Sequence, residues 1–378
     1  ADEVHMIYTT ASDQGKAGEK SRYIQQMAVE LGREMEEEVI FIPIDQKSPE
    51  AITIQKDQEV LSLLDKYLID EHGQSKTSFS PSALSVFLDC KLKFYLQYLA
   101  NIQEKEEVSE EIDAAVFGNL AHLSMEILYQ DFAKRKGRSV LEKGDFAELH
   151  KAWIFPAIEK AIRKFYHLEE EADTKLNGQM AIARDVLQKY LQQILKIDEE
   201  SAPFKLISLE QEKKYKAALK INTVSGEELV SLKGIIDRVD EHNGSVRLID
   251  YKSGQDNKTF PDIPSLFNRE NKSRNKAAMQ TMFYGLIYQA TVPENMLPLK
   301  PAIFNLREMF GDDFNPYLQE KLPRKVGVEV NDYRQYEEEY RAGLKELMED
   351  IYNPESPFDQ TEDLKKCEYC PYKEICGR

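Results

Sequence analysis

The stretch LKGIIDRVDEHNGSVRLIDYKSG (232–254) decides how this chain is read. Asn243-Gly244 sits between two runs of alternating apolar and polar residues, the strongest short-range signal for a hairpin closed by a two-residue type I′ turn. With these two residues as the loop, His242 faces Ser245, Asp240 faces Arg247, and Asp237 falls directly opposite Asp250. Alternation puts Lys252 on the Asp250 face, with Asp240 and Arg247 on the other. Directly opposed strand residues bring their Cβ atoms within about 4.5–5.5 Å, so two carboxylates there repel and weaken a hairpin. A divalent cation removes that objection, because Mg²⁺ takes one or two carboxylates together with water and substrate phosphate oxygens. Lys252, farther along the same face, is placed to orient an attacking water or to stabilise charge on a phosphorane. The alternative is two separately solvated acids beside a surface lysine. Alternation, turn and cross-strand pairing together favour the ion.

Outward from the hairpin, KLISLEQEKKY (205–215) and ELVSLKGIIDRVD (228–240) precede SVRLIDYKS (245–253) as three predicted strands. Helical periodicity covers about 112–134, 145–166 and 178–197 before them and about 276–290 and 333–351 after, with a further strand near 301–307. Tyr333, Tyr336, Tyr340, Leu344, Leu347, Met348 and Ile351 mark the buried stripe of the last helix. Ser80-Pro81 opens a unit as N-cap and first helical residue, and Leu84, Phe87, Leu88, Leu92, Tyr95, Leu96 and Leu99 keep helical spacing up to residue 100. Ahead of it, VHMIYTT (4–10), a helical stretch (19–34), EVIFIPI (38–44) and a second helical stretch (57–70) read as a small α/β unit. EHGQSKTS (71–78) reads as its linker. The loop around Gly15-Lys16 lacks the Gly-x4-Gly-Lys-Ser/Thr spacing of a phosphate loop and reads as an ordinary flexible loop.

The 378 residues include 50 Lys and Arg against 67 Asp and Glu, a formal net charge of −17. That argues against a protein that coats polyanions generically and leaves room for a nucleic-acid enzyme with a local basic groove and acidic ligands. Residues 331–363 hold 11 acidic and 3 basic residues, nearly half of the net charge. Against this background the clusters KRKGR (134–138) and RENKSRNK (269–276) stand out, the second as a site of phosphate contact. No run of 18 apolar residues exists, so no membrane-spanning helix is expected. Residue 1 is Ala and no signal pattern follows, which reads as a processed chain or a piece of a longer polypeptide. Four cysteines are too few for a disulfide scaffold. Three crowd together as Cys367-x2-Cys370-x5-Cys376, with Cys90 far upstream, and the set reads as a metal site.

Gly234-x2-Asp237-Arg238-x-Asp240, followed by Asp250-Tyr251-Lys252, resembles the RecB-like branch of the PD-(D/E)XK nucleases. The resemblance covers roughly residues 80–378. It implies an α/β fold with a restriction-endonuclease-like core, a mixed central sheet flanked by helices, spanning residues 79–378. Asp237 and Asp250 match the family's metal-binding acids and Lys252 its lysine. Phe117-Gly118-x3-His122 matches the family's helix with a histidine metal ligand, and the Tyr251 carbonyl completes the metal set. Gln280-x3-Tyr284 matches the motif that helps hold the active site and the nucleic acid. Glu212, rather than Glu210, matches a further carboxylate on the first strand, because Tyr215 follows it at the expected spacing. Cys90, Cys367, Cys370 and Cys376 resemble the 4Fe–4S staple of AddB-type subunits and of CRISPR-associated RecB-like nucleases. Four thiolates suit that cluster and equally suit a tetrahedral zinc. Lys91 departs from the proline that many relatives carry after the first cysteine. Residues 1–75 look like a helicase-like α/β remnant, without any ATP-binding motif.

The resemblance implies Mg²⁺- or Mn²⁺-dependent hydrolysis of DNA, as the exonuclease part of an AddAB/RecBCD-like complex that processes double-strand-break ends. A helicase subunit is then the partner, no membrane is involved and the setting is cytoplasmic. His122 ligates only when neutral, so activity should fall at low pH. A stand-alone exonuclease of the CRISPR-associated type and a non-catalytic DNA-end-binding module are the alternatives.

Overall fold

Asn243 and Gly244 both adopt left-handed backbone angles, φ 47° and 68°, as a type I′ turn demands and as asparagine and glycine tolerate. The computed structural model describes residues 21–32, 36, 38, 51–103, 112–168, 178–209, 215–311, 313–321 and 325–378. In it the flanking strands Arg238–His242 and Ser245–Lys252 pair antiparallel. His242 lies opposite Ser245, Asp240 opposite Arg247 and Arg238 opposite Ile249. The expected register therefore holds as far as Arg238. Asp237 stands one residue beyond the ladder.

The hairpin is the centre of a five-stranded sheet in the order Val140–Leu141, Phe204–Leu209, Arg238–His242, Ser245–Lys252, Leu299–Asn305. Its pairings are antiparallel except the last, where Asp250 lies beside Ile303 and Lys252 beside Asn305 in parallel register. The sheet is thus mixed, as expected. Successive side chains of Ser245–Lys252 feed two separate cores. Val246 and Leu248 pack with the helices Lys276–Thr291 and Glu337–Tyr352. Ile249 and Tyr251 pack with the helices Ala114–Lys136, Ile154–Phe165 and Gly178–Ser201. The helix Lys276–Thr291 is capped by Asn275, whose side chain accepts from the Ala278 amide. Most of its residues are buried, which makes it a rigid inner support for anything it presents to the sheet.

Three sequence-based expectations are corrected. The run 228–240 is not one strand. Its first part, Gly226–Gly234, leaves the central sheet and pairs with Tyr215–Thr223 as a second antiparallel hairpin. The chain crosses to the central sheet over residues 235–237, which puts Asp237 at the mouth of Arg238–His242. The helix expected to run from Ser80 to residue 100 is interrupted at Cys90 (φ −160°, ψ 114°), which ends Pro81–Asp89 and caps Lys91–Phe94 through its sulfur. Ser80 caps Pro81–Asp89 as expected, accepting from the Ala83 amide at 3.2 Å. The basic cluster 269–276 is largely consumed by internal ion pairs. Arg269 binds Asp359 at 3.0 Å, Arg274 binds Asp89 at 3.0 Å, and Lys276 also binds Asp89.

The chain divides into two units, Ala1–Pro49 and Glu50–Arg378. The described part of the first is the helix Arg22–Val29, capped by Ser21; the predicted strands 4–10 and 38–44 lie outside the described residues. Residues 50–78 belong to the second unit, so the division falls well before the linker expected at 71–78. There Thr53-Ile54 pairs with Phe358-Asp359, and the Phe79 amide donates to the Ser231 carbonyl at 2.8 Å. Among the described residues, no helix is long and apolar enough to cross a membrane.

Candidate active site

Asp250 is 1% exposed, at the end of the strand Ser245–Lys252. Its Oδ1 accepts from Gln280 Nε2 at 3.2 Å and from the Tyr284 hydroxyl at 3.3 Å. Lys252 Nζ lies 2.9 Å from its Oδ2, a close ion pair. Burial, with Asp237 adding to it and Lys252 opposing, pushes the Asp250 carboxyl up to about 6. Lys252 Nζ also donates to Gln280 Oε1 at 3.0 Å. One amide thus contacts both the acid and the lysine. Gln280 Nε2 in turn reaches the Tyr284 hydroxyl at 2.5 Å, so one helical turn of Lys276–Thr291 fixes the geometry of both strand residues.

Asp237 accepts from the Tyr251 amide at 2.7 Å through Oδ2, and the same oxygen lies 3.3 Å from His122 Nδ1. Burial opposes its ionisation, but His122, the Tyr251 amide and Lys252 together hold the carboxyl below its ordinary range. Asp237 is therefore bound to the backbone beside Asp250 rather than continuing the ladder. His122 reaches it from the helix Ala114–Lys136, with its ring edge-on to Tyr251 at 6.0 Å. Gly118, one turn earlier, faces the loop after Lys252: a Cβ there would meet Ser253 Oγ at 2.9 Å. The loop after Lys252 is pinned by Asn305, whose side-chain amide donates to the Gly254 and Asp256 carbonyls at 3.1 and 3.0 Å.

Asp237, Asp250, Lys252, His122, Tyr251, Gln280 and Tyr284 are brought together. Glu212 and Glu210 lie outside the described residues. As the side chains stand, no three His, Cys, Asp or Glu among the described residues make a ready metal shell. The donor chemistry nonetheless fits a hard cation, which needs only one or two carboxylates when water and phosphate oxygens fill the rest. Oδ2 of Asp250, which faces the Lys252 ammonium, is the position such an ion would use.

Behind the sheet lies a network that the sequence pattern did not show. Arg238 binds Asp198 bidentately at 2.7 and 2.8 Å, Asp240 at 2.6 Å and the Tyr251 hydroxyl at 3.1 Å. Arg247 binds Asp240 at 2.6 and 3.0 Å, and Tyr129 donates to Asp198. Two arginines and two aspartates, all buried, balance in charge and fix the Tyr251 ring. The Asp240–Arg247 pair was legible in the register. Asp198 was not, since it comes from a distant helix.

Cys90, Cys367, Cys370 and Cys376 line one cavity of about 180 Å³. Lys93, Lys276, Lys366, Lys373 and Arg378 also line it, with Asp89 as the carboxylate among its described lining residues. Burial and the neighbouring thiols push Cys367 and Cys376 up. The segment is also docked by ordinary contacts. Tyr372 is buried against Leu92 and Leu96 and donates to the Ile102 carbonyl at 2.6 Å. The tail is thus docked without any bound metal, although the acidic, proline-containing stretch 353–363 ahead of it offers little apolar surface.

Compared with known proteins, the chain matches the family model described as the PD-(D/E)XK nuclease superfamily over residues 78–377. It is similar to one subunit of the ATP-dependent helicase/deoxyribonuclease of Streptococcus uberis, 26% identical over 254 residues. That match covers 66% of this chain and 19% of the relative, so the chain spans about a fifth of that protein. A crystal structure of SSO0001 aligns with 13% identity and a TM-score of 0.23, covering 78% of this chain and 94% of that one.

Proposed function

Because the chain belongs to the PD-(D/E)XK nuclease superfamily, we propose that it hydrolyses phosphodiester bonds of DNA with a bound Mg²⁺ or Mn²⁺ ion. The observation that carries this reading is the convergence of two acids and a lysine at one strand end: Asp250 is buried, Lys252 Nζ lies 2.9 Å from its Oδ2, and Asp237 is tied to the Tyr251 amide beside them. Two carboxylates held that close repel unless a cation is shared between them. Asp237, Asp250, the Tyr251 carbonyl and His122 would hold the ion, joined by Glu212. When bound, the ion supplies Lewis-acid neutralisation of the scissile phosphate and an acidified water. The chain's own groups do the rest. Gln280 holds the Lys252 ammonium and the Asp250 carboxylate together, Lys252 orients the attacking water and offsets charge on the phosphorane, and Tyr284 fixes Gln280.

The relative's name, a helicase/deoxyribonuclease subunit, supports a larger setting in which this chain is the nuclease part of an AddAB-like helicase–nuclease; the proposal extends this to exonuclease action on double-strand-break ends in the cytoplasm. Its partner there is a helicase subunit, and residues 1–75 are the tail of a helicase-like domain. The four cysteines, which line one cavity, hold a 4Fe–4S cluster, with a tetrahedral zinc as the alternative that four thiolates equally suit. The test is end-labelled single- and double-stranded DNA incubated with Mg²⁺, Mn²⁺ or EDTA. Stepwise loss of end label with metal and none with EDTA is expected. Cleavage that persists in EDTA contradicts the reading.

A further inference from the structure

Gln280 and Tyr284 form one end of an open cleft of about 540 Å³, whose other walls are residues 75–82 and the paired strands at Lys216 and Lys233. Among the described residues its lining includes three lysines, five serine or threonine side chains and no carboxylate, in a chain of net charge −17. Lys216 and Lys233 are directly opposed across the hairpin Tyr215–Thr223/Gly226–Gly234. Like charges in that position destabilise a sheet. Neither they nor Lys76 form an ion pair with any described residue, unlike the cations of the 269–276 cluster. The wall is firmly built. The Lys233 amide donates to the Phe79 carbonyl at 2.9 Å, and the Ser78 and Ser231 hydroxyls share a hydrogen bond of 2.7 Å. The backbone that presents the lysines is thus fixed, and no described carboxylate pairs with them.

We propose that this cleft is the track along which one nucleic-acid strand, gripped by its phosphates, reaches Asp250 and Lys252. The inference deepens the nuclease reading and rests on it for the direction of travel. A single inorganic phosphate would need one of these charges, whereas a succession of phosphates uses all three. The hydroxyls supply neutral donors between them. Gln280 and Tyr284, which line the end of the cleft, both contact Asp250 and so join the cleft to the acid.

The test is equilibrium binding of a fluorescent oligodeoxythymidylate to the full chain in EDTA, across a series of salt concentrations. Each phosphate contact on a single strand contributes about 0.7 to the slope of log affinity against log salt. Lys76→Ala, Lys216→Ala and Lys233→Ala combined should flatten that slope by about 2 and weaken binding about 100-fold at 0.1 M salt. The corresponding triple arginine variant should keep the wild-type slope. Should the triple alanine variant fail to fold, Lys216→Ala alone should flatten the slope by about 0.7. A folded alanine variant with wild-type affinity and slope overturns the track. So does an arginine variant that behaves like the alanine one. Binding in EDTA needs no hydrolysis, so a wild-type chain that binds as expected but never cleaves DNA sinks the nuclease reading alone. Normal cleavage beside an unaltered slope sinks the track alone.

Discussion

Gln280 touches Lys252 through its carbonyl oxygen and Asp250 through its amide nitrogen, so both proposed reacting groups depend on one side chain that does no chemistry. Gln280→Ala should lower kcat about 10–100-fold, the range for losing a group that orients metal ligands, and change KM much less. A variant that raises KM with kcat intact would make Gln280 a substrate contact instead. Arg238 acts at longer range. Removing it leaves Asp198 and Asp240 buried beside the lone positive charge of Arg247, so Arg238→Met should cost about 3–5 kcal/mol in chemical denaturation. A loss under about 1 kcal/mol would show that the network is dispensable. At this scale the sequence was legible where a side chain is fixed by its own hairpin, as with Asp250 and Lys252. It was silent where the partner arrives from a remote helix, as with Asp198.

Among the elements, the Asn243-Gly244 hairpin could be read because its turn chemistry and its alternation agree. The hairpin before it was missed although Ala217, Leu219 and Ile221 alternate inward, because its turn carries no comparable signal and Gly226–Gly234 runs straight on into the next strand. The break at Cys90 was equally hidden, since the apolar spacing continues across it. That break turns the Cys90 sulfur toward the C-terminal cysteines. Cys90→Ala should lose the proposed cluster's iron and its colour, and loosen the C-terminus only in part, because Tyr372 and Phe358 still dock. Retention of about four irons per chain would exclude Cys90 as a ligand. Nearby, Lys56 is 4% exposed and donates to the Asp350 carbonyl at 2.7 Å. Burial, only partly offset by Asp350 and reinforced by Lys91, pulls it down to about 8. A lysine depressed in the fold binds its proton less tightly there than in the unfolded chain. Its charge therefore costs stability at neutral pH, and that cost is relieved as pH rises from about 8 toward 10.5. The difference in stability between wild type and Lys56→Met should move in favour of wild type by about 3 kcal/mol over that window. A constant difference from about pH 7 to 10 would refute the buried-cation assignment.

For the molecule as a whole, the two-faced sheet divides the labour. One face carries Asp250, Lys252 and the helix that holds them; the other carries Arg238, Arg247 and Tyr251 on a charge-balanced support. Acidic surface elsewhere repels polyanions, so the lysines beside Gln280 that have no ion-pair partner among the described residues give the molecule its proposed avenue for nucleic acid. The central claim is that Asp250 holds a divalent ion for phosphodiester hydrolysis. It is tested most directly by the single-turnover cleavage rate of Asp250→Asn against wild type on end-labelled DNA in Mg²⁺, with folding checked by thermal melting. Losing a metal's several kcal/mol of transition-state stabilisation should slow cleavage by about 10³ or more. A folded Asp250→Asn variant that cleaves at the wild-type rate would contradict the claim.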